Sequence, residues 1–81
     1  MPTILRENGY RFYWYSNEGA YKRIHIHVER AGSKAKFWLN PLELAENKRF
    51  IEPELNEIKQ IINNNTELIE NEWNSRTQDG Q

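Results

Sequence analysis

The stretch "IHIHVERAGSKAKFWLN", residues 24 to 40, predicts two β-strands joined by a tight turn, and it decides the fold. Apolar and polar residues alternate on both arms, which is the pattern of strands that bury one face. A turn centred on Gly32 and Ser33 brings apolar residues together across the hairpin, and the predicted pairs are Val28 with Phe37 and Ile26 with Leu39.

The opposite face of this hairpin collects the reactive side chains. In the same register the predicted pairs are Glu29 with Lys36, His27 with Trp38, and His25 with Asn40. Because successive side chains of a strand alternate between faces, both histidines point away from the apolar face. We expect the helices to cover the apolar face and the two imidazoles to remain exposed on the other.

Another hairpin precedes this one and turns at Asn8-Gly9, a dipeptide that tolerates positive φ and favours a type I′ turn. The register predicted from that turn pairs Leu5 with Phe12, Ile4 with Tyr13, and Arg6 with Arg11. Like charges side by side disfavour a pairing, although exposed charges interact weakly. The two arginines therefore indicate either solvated surface charges or an anion site.

Helices are predicted for the second half of the chain. Asn40-Pro41-Leu42-Glu43 has the residues of a helix start, so we expect a short helix over 41–48. A longer helix opens at Pro53, and the three poor helix formers at 63–65 predict a break in it. Its apolar stripe consists of Leu55, Ile58, Ile62, Ile69 and Trp73.

These elements predict an α+β fold with a four-stranded, mainly antiparallel sheet of two hairpins. A short helix and a longer, broken helix then pack on one face of the sheet. The 81 residues suit one domain, which we place at residues 1–76, followed by a flexible polar tail at 77–81.

The composition excludes several classes of protein. There is no cysteine, so neither disulfides nor thiolate zinc sites supplement the core. No apolar run approaches the roughly 20 residues that span a bilayer, and the N-terminus lacks a secretory signal. We expect a cytoplasmic protein without a membrane partner.

The formal charge of −1 does not by itself indicate nucleic-acid binding. The charges are nevertheless unevenly distributed, because lysine and arginine crowd into the first half whereas most carboxylates follow Glu43. One face can therefore be basic while the whole chain is nearly neutral.

The pair His25 and His27 has the spacing of two side chains on one strand face, roughly 7 Å apart. Two such imidazoles suit a metal or a catalytic pair. A zinc site needs a third ligand, for which Glu29 or Glu18 is available, but one such pair without cysteine is weak evidence. We predict neither a metal nor another cofactor, and a plain exposed polar face remains an alternative.

The same face offers the side chains of an RNA site. Imidazole transfers protons, lysine and arginine hold phosphates, and aromatic rings stack on bases. We predict His25, His27 and Lys36 as catalytic residues, with His27 as general acid or base and Lys36 or Arg11 steadying the phosphate. The predicted binding residues are Arg6, Arg11, Tyr13 (or Tyr15), Glu29 and Trp38. The plain alternative is that these rings only stabilise cross-strand pairs.

A non-enzymatic interaction module is the alternative function. Tryptophan, tyrosine and arginine dominate the energetics of protein interfaces, so an aromatic sheet surface suits a small protein partner. Exposed strand edges also favour a homodimer.

The order of the segments "PTILRENGYRF", "YSNEG", "HIHVE", "AKFWLNPLELA" and "ELNEI" resembles the small prokaryotic family catalogued as domain of unknown function 4160. The resemblance runs from Pro2 to about Trp73. It implies a bacterial or archaeal protein, often encoded beside a protein of the family of unknown function numbered 2442, as in toxin and antitoxin pairs. It implies no established reaction. We therefore predict a toxin-antitoxin-like component that binds a small protein partner and binds or cleaves RNA.

Overall fold

Five antiparallel strands form one sheet in chain order, and two helices follow them. The structure is a computed structural model, and it describes residues 3–15 and 23–79. The predicted α+β class and the antiparallel sheet are confirmed. The elements are β1 (Thr3–Glu7), β2 (Tyr10–Tyr13), β3 (His25–Arg30), β4 (Ser33–Trp38), β5 (Glu43–Lys48), α1 (Glu52–Asn64) and α2 (Thr66–Asp79).

The first hairpin turns where the sequence predicts it. Asn8 and Gly9 both have positive φ, 54° and 84°, as a type I′ turn requires. The pairs of Leu5 with Phe12 and of Arg6 with Arg11 are confirmed. The predicted pair of Ile4 with Tyr13 is wrong, because an irregularity between Thr3 and Leu5 sets Thr3 opposite Tyr13.

The second hairpin turns one position earlier than predicted. Ala31 and Gly32 hold the positive φ values, 50° and 87°, so the turn does not centre on Gly32 and Ser33. Left-handed backbone is uncommon for alanine, so no residue preference predicts a turn at Ala31. All of the predicted pairs in this hairpin are wrong by two residues, and the observed ones include His25 with Trp38, His27 with Lys36, and Val28 with Ala35.

A slip of two residues leaves each side chain on its predicted face, because the side-chain period of a strand is two. Ile26 and Val28 are fully buried against Phe37 and the helices, as expected. His27 and Lys36 lie on the other face. The prediction for this hairpin is therefore wrong for the pairs of residues and right for the face on which each side chain lies.

Strand β5 replaces the predicted short helix over 41–48, so the sheet has five strands and not four. A helix N-cap needs extended backbone, whereas Asn40 has a φ of 59° and lies in the turn that returns the chain along β4. Pairing with the edge of β4 satisfies the backbone hydrogen bonds of this segment. This tertiary contact outweighs the local helix signals.

The helices follow the prediction more closely. Helix α1 begins at Glu52, where the Ile51 amide donates to the Glu54 carboxylate at 3.0 Å. The predicted break is confirmed, since α1 ends at Asn64 and α2 begins at Thr66. The predicted boundary between the domain and its tail, at residues 76 and 77, falls within α2. No helix among residues 3–15 and 23–79 is long and apolar enough to cross a membrane.

The core lies between the helices and one face of the sheet, which we call the helix face. Its largest fully buried residues include Phe12, Phe37, Ile26 and Ile58. Two polar contacts tie α1 to this face: the Tyr10 hydroxyl donates to Glu57 at 2.8 Å, and Arg30 pairs with Glu54 at 2.7 Å. We call the opposite face, which carries Tyr13, His27 and Lys36, the open face.

Candidate functional site

The strand register arranges the open face in rows that cross the sheet. One row carries charge on every strand and consists of Arg6, Arg11, Glu29, Lys34 and Lys48. The next row consists of Thr3, Tyr13, His27, Lys36 and Glu46. Lys36 is therefore directly adjacent to His27, and Lys34 and Lys48 lie in the neighbouring row.

A cavity of about 210 Å³ lies where these rows cross β2 to β5, and we call it the lysine pocket. Lysine side chains provide three of its lining groups, and Glu46 provides the carboxylate. No ion pair joins any of these four charges to another residue of the described ranges. The lining residues are Tyr13, Tyr15, His27, Lys34, Ala35, Lys36, Glu46 and Lys48.

Two tyrosines hold the imidazole of His27 at the pocket. The ring stacks on Tyr13 with centroids 5.4 Å apart, and the edge of Tyr15 meets it at 4.8 Å. Tyr13 is almost fully buried, and this burial, with the hydrogen bond to Tyr15, raises the pKa of Tyr13 above its usual range. Tyr15 is 39% exposed, so it presents an aromatic surface to a ligand.

Arg11 and Glu29 are brought together as an ion pair beside the pocket. The Arg11 Nε also donates to the Thr3 hydroxyl at 2.9 Å, and the guanidinium lies 4.4 Å from the ring centroid of Tyr13. The charge of Arg11 is thus balanced by Glu29, and its contacts position Tyr13. Arg6, across the strand pair from Arg11, is exposed.

His25 is fully buried, so the expectation that both imidazoles are exposed is wrong for this residue. Its Nδ1 donates to the carbonyl of Arg23 at 2.8 Å. The ring centroid lies 5.1 Å from that of Trp73 on α2 and 5.8 Å from that of Trp38. The sequence placed Trp73 in a stripe on the apolar face, but α2 brings this indole to the end of the sheet where β3 begins.

Trp38 is half-buried and has two cations close to its ring. The guanidinium of Arg23 is 5.2 Å from the ring centroid of Trp38, and the Lys36 Nζ is 4.5 Å from it. Tyr13 is almost fully buried, whereas Trp38 keeps part of its ring surface exposed.

Sequence reasoning missed Lys34, Glu46 and Lys48 as members of the site. The last two were assigned to a helix, and Lys34 was placed next to the predicted turn. A signal was present, since asparagine tolerates the left-handed backbone that Asn40 adopts. A hairpin turn at Asn40-Pro41 predicts a fifth strand that carries Glu46 and Lys48 beside β4.

No three histidine or acidic side chains of the described ranges converge as metal ligands. Of the two candidate third ligands, Glu29 pairs with Arg11, and Glu18 lies outside the described residues.

Comparison with known proteins gives one result. A family model with the description "Domain of unknown function (DUF4160)" matches residues 9–74. No curated protein and no solved structure matches significantly.

Proposed function

Because the chain belongs to the DUF4160 family, whose description names no activity, we propose a function from the site itself: the protein binds RNA through the lysine pocket. The proposal assigns the phosphates to the lysines and a base to the aromatic wall.

The pair Lys34 and Lys48 is the observation that carries this proposal. The two lysines are direct cross-strand partners, and neither has an ion-pair partner among the described residues. Like charges directly opposite each other destabilise a strand pair. A bound phosphate removes this repulsion, and lysine is a common phosphate ligand.

The aromatic wall supports a nucleic acid over a simple anion. Tyr15 is exposed at 39%, and it lines the pocket with His27 and the three lysines. Unpaired bases stack on tyrosine and histidine rings while the backbone follows a positively charged groove. One pocket therefore offers both kinds of contact that single-stranded RNA uses.

A cleavage reaction is the catalytic form of this proposal. His27 lines the pocket and pairs across the strands with Lys36, and it takes the role of general acid. The ribose 2′-oxygen bonds to the phosphorus atom and releases its proton to water, the bond from phosphorus to the 5′-oxygen breaks, and His27 gives its proton to that oxygen. Lys36 then balances the charge that develops on the phosphate. His25 is fully buried and has no direct role in this version.

A protein partner belongs to the same proposal. The resemblance that suggests a toxin-antitoxin-like role also suggests a partner of the family numbered 2442. Co-expression with such a partner and co-purification tests this part, and a Trp38→Ala variant that still co-purifies excludes the aromatic sheet surface as the docking site.

The RNA proposal is tested by fluorescence anisotropy with a labelled single-stranded oligoribonucleotide. Lys34→Ala is compared with Lys59→Ala, which removes the same charge from α1, away from the open face. We expect Lys34→Ala to weaken binding. It should also reduce the slope of the logarithm of the binding constant against the logarithm of the salt concentration, by roughly 0.7 per lost phosphate contact. Lys59→Ala should leave the affinity and this slope unchanged. Equal effects of the two variants, or no binding by the wild type, would refute the proposal.

Cleavage is tested with the same oligonucleotide and the His27→Ala variant. Loss of product with the variant supports the catalytic form. Equal cleavage, or none with either protein, limits the function to binding.

A further inference from the structure

The carboxylate of Glu46 lies in a pocket whose other charged groups are the ammonium groups of Lys34, Lys36 and Lys48. Building on the proposed function, we propose that the pocket binds one ribonucleotide unit and that Glu46 accepts a hydrogen bond from its ribose 2′-hydroxyl. Glu46 then sets the preference for RNA over DNA.

Glu46 is out of place in a site for phosphate alone. A carboxylate repels a phosphate, and it weakens the attraction of the neighbouring lysines. The carboxylate of Glu46 is also not used in an ion pair within the fold, since Glu46 is exposed and forms no ion pair with a described residue. Its cross-strand neighbour is Lys36, which instead lies against Trp38.

A hydroxyl is the ligand group that an ionised carboxylate suits best here. Ionised carboxylates only accept hydrogen bonds, and bonds to charged groups are among the stronger ones. The 2′-hydroxyl is the donor that RNA has and DNA lacks. Placing it on Glu46 gives the carboxylate a partner and keeps the phosphate on the lysines.

The arrangement of the pocket matches the order of groups in a nucleotide. Tyr15 and His27 lie on the side of β2 and β3, whereas Glu46 and Lys48 lie on β5. Glu46 and Lys48 share the open face of β5 at a spacing of two, roughly 7 Å. A base on the aromatic side thus directs its ribose and phosphate towards the charged side.

The size of the pocket suits a single nucleotide unit. Its volume of about 210 Å³ lies below the roughly 300–1,000 Å³ of pockets that enclose drug-sized molecules. Neighbouring nucleotides then lie outside the pocket, along the row of charged residues on the open face.

The experiment compares uridine oligomers that differ only in the 2′-hydroxyl, an oligouridylate and an oligodeoxyuridylate of about eight nucleotides. Anisotropy titrations are carried out with wild type, Glu46→Ala and Glu46→Gln. We expect the wild type to bind the ribo-oligomer at least about tenfold more tightly, as a hydrogen bond to a charged group predicts. Glu46→Ala abolishes this difference in affinity between the two oligomers without weakening the binding of the deoxy-oligomer. Glu46→Gln retains part of the difference, because its amide oxygen still accepts a hydrogen bond.

The outcomes separate the two proposals. Equal affinity of the wild type for both oligomers, or an equal change in both affinities with Glu46→Ala, overturns the role of Glu46 and leaves RNA binding in place. No binding of either oligomer by the wild type, or binding that Lys34→Ala does not weaken, overturns the proposed function itself. Unfolding midpoints of the Glu46 variants close to that of the wild type exclude a merely structural effect.

Discussion

Lys34 and Lys48 face each other across β4 and β5, at the edge of the lysine pocket. The fold sets the two lysines directly opposite each other although like charges oppose the pairing of these strands. Residues kept in an arrangement that disfavours stability are expected at binding sites, where a ligand compensates for the cost.

Lys48→Glu should change stability and RNA binding in opposite directions. The substitution converts a like-charge pair into an opposite-charge pair, so we expect the free energy of unfolding to rise by about 0.2–1 kcal/mol. RNA affinity should fall, because a carboxylate replaces a phosphate ligand. Urea denaturation and anisotropy measure the two effects, with Lys59→Glu on α1 as the control. A variant that is less stable, or that binds RNA as well as the wild type, contradicts this prediction.

Tyr15→Ala should weaken RNA binding through the loss of a stacking surface. Removal of a stacked aromatic ring costs about 1–3 kcal/mol per base, or roughly 5- to 150-fold in affinity. Tyr15→Phe keeps the ring and should bind within about threefold of the wild type, since stacking does not need the hydroxyl. The same affinity for both variants would show that the ring does not contact a base.

Trp73→Ala should destabilise the domain strongly, because this indole is 8% exposed and packs on Trp14 and His25. Deletion of a buried aromatic ring costs about 3–5 kcal/mol, a large part of the stability of a small domain. Leu68→Ala on the same helix is the control, since Leu68 is 43% exposed and its loss should cost within about 0.5 kcal/mol. Urea denaturation measures both, and similar losses would mean that Trp73 does not anchor α2.

The contacts of Glu54 predict a pH dependence of stability. The hydrogen bond from the Ile51 amide, followed by the interactions with Arg30, lowers the pKa of Glu54 below its unfolded value of 4.5. A carboxyl with a lowered folded pKa contributes stability that is present above pH 4.5 and lost as the pH falls through the folded pKa.

Glu54→Gln should therefore be less stable than the wild type at pH 7, and the difference should shrink as the pH falls below 4.5. Melting temperatures measured between neutral and acidic pH test this, with Glu52→Gln in the same helical turn as the control. A difference that stays constant with pH would show that the charge of Glu54 is not involved.

The faces of the strands could be predicted from the sequence, but the pairs of residues could not. Alternation fixes which side chains share a face, and His27 and Lys36 share the open face whichever register the hairpin takes. The register depends on the turn, and here Ala31 adopts the positive φ that propensity assigns to glycine or asparagine.

The remaining differences come from tertiary contacts. The helix signals at Asn40-Pro41 are local, whereas the strand at 43–48 depends on the free edge of β4. The burial of His25 likewise depends on Trp73, 48 residues later in the chain, and hydrophobic periodicity does not show how far a helix reaches past the end of a sheet. Both differences affected the predicted site, because Glu46 and Lys48 were left out of it and His25 was placed on the exposed face.

The most direct test of RNA binding at the lysine pocket is an NMR titration that follows backbone amide shifts as an oligouridylate is added. We predict that the shifts concentrate at Tyr15, His27, residues 34–36 and residues 46–48, while the amides of α1 remain unchanged. An unchanged spectrum, or shifts confined to the helices, would contradict the proposed site.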